Sequence, residues 1–150
     1  MNVLIAVDFS EVTRAVLEAA TTFVARPDGV QRHFYLIHVA EPDPSFVGWE
    51  AGPEVVRDQV AAEFHREHQE LAKLAETLRG HGAEVVTPLL VQGPIVETIL
   101  HQSRKLEARL LVVGSHGHGK TFDVLVGSVS AALIRRSTTP VLVVPAADHG

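Results

Sequence analysis

RLLVVGSHGHGKTFDVLVGSVS, running from Arg109 to Ser130, passes from an apolar run into a cluster of glycines and then into a helix start. Arg109–Val113 is a short aliphatic run without polar alternation, the pattern of a strand covered on both faces in a parallel sheet. Gly114, Gly117 and Gly119 follow. Without Cβ atoms these positions let backbone N–H groups approach an anion closely. Gly127-Ser128 then opens a helix, predicted over Ser128–Arg136, whose first N–H groups at Val129 and Ser130 have no intrahelical acceptor. Strand, glycine turn and helix start together make a phosphate cradle, which belongs at the carboxyl edge of an open α/β sheet.

Outward from this segment the chain alternates short strands with longer helical patterns. Asn2–Val7 is predicted as a buried strand. Ser10 is expected to cap the helix that follows, with Glu11 in its first turn and Val12, Val16, Ala19 and Phe23 as its apolar stripe. Gly29 falls in the next turn. His33–Ala40 is the second strand, and Glu41–Pro53, with Pro42, Pro44, Gly48, Gly52 and Pro53, is a loop long enough to serve as a lid over the site. Its Trp49 is the only tryptophan. A long helix is expected over Glu54–Arg79, with Val56, Val60, Phe64, Leu71, Ala75 and Leu78 on one face and Gly80 and Gly82 ending it. Glu84–Val91 reads as a strand whose Pro88 belongs on a sheet edge. Gly93-Pro94 starts a helix to Leu106, with the proline at its first position. Val141–Val144, between Pro140 and Pro145, is the last strand. Five strands with helices between them predict a doubly wound parallel α/β fold with helices on both faces.

Composition excludes whole classes of function. The 150 residues suit a single domain spanning 1–150, and 46% hydrophobic against 21% charged residues excludes disorder. Aromatic residues are only 5%, so the core is aliphatic. The net charge of −5 supplies no basic field for nucleic acid or an anionic membrane. No cysteine is present, which excludes disulfides, thiolate metal sites and thiol catalysis. The opening residues lack a basic region and carry Asp8, so they read as a strand rather than a signal peptide. No apolar run approaches the roughly 18 residues of a membrane span, and a cytoplasmic protein is expected.

Gly114 to Thr121 also matches the P-loop pattern G-x-x-x-x-G-K-[ST]. The context is wrong for it: the pattern does not run straight into a helix, since Gly127-Ser128 interrupts, it falls on the fourth of five strands, and the residues after it leave no room for a strand carrying a magnesium-binding Asp. The dinucleotide pattern G-x-G-x-x-G fails because Phe122 takes the place of its third glycine. Gly114-x2-Gly117-x9-Gly127-Ser128, by contrast, resembles the nucleotide-binding signature of the universal stress protein family. The opening VLIAVDFSE, the LIHV of the second strand and the closing STTPVLVVP resemble the same family, so the likeness spans the chain.

That resemblance implies a five-stranded parallel sheet of order 3-2-1-4-5, of the adenine nucleotide alpha hydrolase-like kind, with Pro88 on an edge strand. It implies binding of ATP, with Mg²⁺ accompanying the nucleotide. Gly114, Gly117, Gly127, Ser128 and Val129 would hold ribose and phosphates, and Asp8 with the backbone near Val39 would contact adenine or ribose. Ala6 stands where some ATP-binding members carry proline. His116 and His118 lie in the phosphate loop, and Ser130 adds a helix-terminal amide. Asp8 could also cap the helix after the first strand, a role compatible with ligand contact. Lys120 suits either a phosphate or solvent. His65 and His68 lie three apart on a helix without a third partner, so no metal site is expected and His68 is assigned to the partly buried stripe. Three functions stand: a nucleotide-binding stress or regulatory protein, a slow ATPase or cyclic-AMP-binding relative, and a nucleotide-free interaction module. The motif holds no arginine and no evident general base or second magnesium carboxylate, so efficient hydrolysis is not expected. Val141–Val144, apolar and at an open edge in the implied order, is expected to pair two copies into a homodimer.

Overall fold

In the computed structural model, residues 1–24, 27–40, 54–116 and 126–146 are described, except for the side chains of 54–60. Strand β1 (Asn2–Ala6) leads to α1 (Val12–Ala19), which continues as a π-helical turn over Ala20–Val24. Then come β2 (His33–Ala40), α2 (Glu54–Gly80), β3 (Val85–Gln92), α3 (Ile95–Lys105), β4 (Leu110–Gly114), α4 (Ser128–Arg136) and β5 (Val141–Val144). The five strands form one parallel sheet of order β3-β2-β1-β4-β5. β1 and β4 are therefore neighbours whose chains depart to opposite sides, the switch point at which such sheets open a crevice. Pro88 lies on β3, the edge strand, paired in register with Leu36.

Alternation along the strands divides the core into two layers. Val3, Ile5, Phe34, Leu36 and Val112 pack under α1 and α2, against Val16, Leu17, Leu71 and Leu78. Leu4, Ile37, Val39, Leu111 and Val113 face α3 and α4, against Ile99, Leu100 and Leu133. β1 and β4 are thus apolar on both faces, as their aliphatic runs required.

Several local expectations are corrected. β1 ends at Ala6, although the N–H of Val7 still joins the carbonyl of Ile37 at 2.9 Å. β3 and β4 each lie one residue later than expected. Ser10 is not the helix cap: Glu11 holds that position with helical backbone angles, and Asp8 Oδ1 accepts the N–H of Ser10 at 3.0 Å instead. Pro94 is the N-cap of α3, with ψ 130°, rather than its first helical residue. The apolar stripe of the first helix is Val12, Val16, Leu17, Ala20 and Val24, while Phe23 is 62% exposed. A repeat of four outruns the 3.6 residues of an α-turn, and the wider π-turn keeps Ala20 and Val24 facing the sheet.

Leu71, Ala75 and Leu78 of α2 are buried as expected, but Phe64 is 42% exposed and His68 is exposed, against its assignment to the stripe. The cause is length. With 27 residues α2 extends about 40 Å, whereas the eight-residue strands β2 and β3 span about 26 Å, so the first half of the helix outreaches the sheet. The side chains of Val56 and Val60, and the whole Glu41–Pro53 loop with Trp49, lie outside the described residues.

Candidate functional site

At the switch point a cleft of about 830 Å³ opens between the ends of β1, β2 and β4 and the start of α4. That is within the range of small-molecule sites. Ala6 comes to it from the end of β1 and Asp8 from the turn after it, Val39 from β2, Gly114 from the end of β4 and His116 just beyond, and Gly127, Ser128, Val129 and Ser130 from the start of α4. The fold thus brings nine of the residues singled out from the sequence to one cavity. The tenth, Gly117, lies outside the described residues, as do His118, Gly119, Lys120 and Thr121.

The cradle is tightly built on the α4 side. The N–H of Gly127 donates to the Ser115 carbonyl at 2.6 Å, and Ser115 donates its own N–H to Val144 at 2.7 Å. Buried Ser130 donates its hydroxyl to the Gly114 carbonyl at 2.5 Å. These bonds fix the helix start against the ends of β4 and β5. A Cβ on Gly127 would come within 3.2 Å of the Ser115 carbonyl oxygen, so a side chain there would crowd the helix entry. Gly114 is required for another reason. Its added Cβ would stand 2.6 Å from Val12 Cγ1, so this glycine lets α1 close on β4. His116 places Nδ1 2.8 Å from the Ser115 hydroxyl. Among the described lining residues there is no lysine or arginine. Among the described residues, the first N–H groups of α4 supply positive potential to an anion here.

Two titratable lining residues escaped the sequence reading. His38 and Glu67 face the cleft from β2 and α2, with Nε2 and Oε1 3.6 Å apart. His38 lies within LIHV, which reads simply as strand, and no local spacing connects it to a helix residue 29 positions on. Its even register, shared with Phe34 and Leu36, was the available sign that it faces α2 rather than α3. Outside the lining residues, Arg136 of α4 donates to Glu97 of α3 at 2.8 Å. That hydrogen bond holds the Glu97 carboxyl below its ordinary 4.5. Among the described residues, no three His, Asp or Glu side chains are grouped to hold a metal ion, and no helix is long and apolar enough to cross a membrane.

Comparison with known proteins agrees with this architecture. A universal stress protein of Mycolicibacterium smegmatis is 30% identical over 153 residues, covering 99% of this chain and 49% of the relative. The chain therefore spans about half the length of that relative. Universal stress protein YxiE of Bacillus subtilis is 25% identical over 147 residues, covering 95% of this chain and 97% of its own. The fold is that of universal stress protein UspA from Lactobacillus plantarum, with TM-score 0.78, 19% identity and coverage of 96% and 97%. A universal stress protein in complex with cAMP superposes with TM-score 0.68, 24% identity and coverage of 98% and 98%. One from Archaeoglobus fulgidus in complex with dAMP gives 0.64, 22% identity and coverage of 96% and 97%. The family profile described as the universal stress protein family matches residues 1–145, and the chain belongs to that family.

Proposed function

We propose that the cleft binds an adenine nucleotide and that the protein acts as a nucleotide-responsive stress or regulatory protein. The observation that carries this reading is the convergence of the β1 end, the β2 end and the α4 start on one cavity. The phosphates would lie at the amides of Ser128, Val129 and Ser130, where the helix dipole favours negative charge. Asp8 would accept from hydroxyl or amino groups of the nucleoside, with Ala6 and Val39 lining the base. The family members solved with cAMP and dAMP support an adenine ligand.

ATP is the form proposed, with Mg²⁺ held chiefly by the phosphates and water, the usual coordination of this ion at nucleotide sites. Mass spectrometry of nucleotide released from the purified, denatured protein tests the reading and separates ATP from AMP and cyclic AMP. An adenine nucleotide at near-stoichiometric yield is expected. Protein that releases none, and takes up none after dialysis against ATP, contradicts it.

We also propose that two copies pair through β5. It is the terminal strand of the sheet, its Val141, Leu142 and Val143 stay partly exposed, and Ile134 of α4 is 48% exposed. An apolar strand edge of this kind favours pairing with another strand.

A further inference from the structure

β1 ends in a turn that a single side chain grips from both ends. Val7 continues the ladder with its N–H, and its carbonyl oxygen lies 2.9 Å from Nδ1 of His38. A carbonyl only accepts, so Nδ1 carries the proton and the imidazole replaces the next ladder bond. Two residues on, Phe9 has φ 60°, the left-handed region that an aromatic residue occupies only at a cost in energy. The Phe9 ring lies against the His38 ring, centroids 4.3 Å apart at 37°. Asp8 stands between these two contacts, facing the cleft, with Oδ1 on the N–H of Ser10. From the far side Glu67 confines the imidazole at Nε2.

We propose that His38 is the positioning residue for Asp8. The imidazole holds the carbonyl before Asp8 and the strained residue after it, and so keeps the carboxylate aimed into the cleft before any ligand arrives. Strain concentrated beside a binding group, when glycine at position 9 would relieve it, marks a turn held for its geometry. Pre-setting that geometry removes an ordering cost from binding. The inference rests on the nucleotide reading for its ligand, although the turn itself can be tested without one.

The test uses H38A, H38N, D8N and the H38A/D8N double variant, titrated with AMP by calorimetry. NMR exchange of the Ser10 amide in the ligand-free chain is measured alongside. An asparagine amide stands where Nδ1 stands, so H38N keeps the donor to Val7. H38A is expected to weaken AMP binding by about threefold to tenfold, the range of one lost hydrogen bond. H38N, which keeps the donor to Val7 but not the ring against Phe9, should lose less than H38A, and H38A should add nothing in the D8N background. Ser10 exchange should quicken more in H38A than in H38N. Losses that multiply in the double variant, AMP binding by H38A at wild-type strength, or unaltered Ser10 exchange would each overturn the proposal. If H38A does not fold, H38Q, which places its amide nearer Nε2 than Nδ1, takes its part with the same expectations. If the wild type does not bind AMP, the same titrations are run with ATP and Mg²⁺; binding of neither would overturn the nucleotide reading, and Ser10 exchange alone would then decide the role of His38.

Discussion

An ideal Cβ on Gly114 would stand 2.6 Å from Val12 Cγ1, so the first glycine of the signature serves packing before it serves a ligand. Gly114→Ala should destabilise the fold by roughly 1–3 kcal/mol, the usual cost of overpacking. Val12→Ala in the same chain should recover part of that loss by clearing the contact. A thermal melt of G114A that matches wild type would contradict this assignment. The pair between Glu97 and Arg136 makes a second prediction at this scale. The hydrogen bond from Arg136 lowers the folded-state pKa of Glu97. Its contribution is therefore present above the unfolded value and is lost as pH falls through the folded one. NMR titration should find the Glu97 midpoint below 4.5 and see it rise when Arg136 becomes Gln. A midpoint that does not respond to that change would remove the pair as the cause.

The first helix shows what local pattern conveys and where it stops. Val12 and Val16 were legible as core because they begin a regular stripe, but a 3.6-residue repeat selects Ala19 and Phe23 next. The π-turn over Ala20–Val24 selects Ala20 and Val24 instead, and nothing in the local sequence announces a wider turn. Val24→Ala should cost about 1–2 kcal/mol in denaturant unfolding, whereas Phe23→Ala should stay within about 0.5 kcal/mol. The reverse order would refute this helical register. Strands were read more closely because each is bounded by prolines, glycines or polar residues and is apolar on both faces; β2, α4 and β5 have the boundaries expected of them. The α4 side of the site was legible for the same reason, since the glycines, strand end and helix start are contiguous. His38 and Glu67 were not, because their meeting depends on α2 crossing β2, a tertiary fact without local spacing.

Across the whole molecule, the order β3-β2-β1-β4-β5 places the cleft at the centre of the sheet and leaves β5 at its rim. Site and proposed interface are thus separable by mutation. Val143→Lys, which puts a charge on the rim strand, should turn a homodimer into monomers in light scattering at tens of micromolar, on the order of ordinary assay concentrations. A wild-type monomer under those conditions would contradict pairing through β5. We propose above all that the carboxyl-edge cleft is a nucleotide site whose phosphates rest on the start of α4. Calorimetric titration of wild type and Gly127→Val with ATP and Mg²⁺ tests it most directly. Saturable binding to one site per chain is expected in the wild type. A loss of at least about tenfold, or about 1.4 kcal/mol, is expected in the variant, which should still melt cooperatively. Equal affinity in the two proteins, or no binding by wild type at about 1 mM ATP, would contradict it.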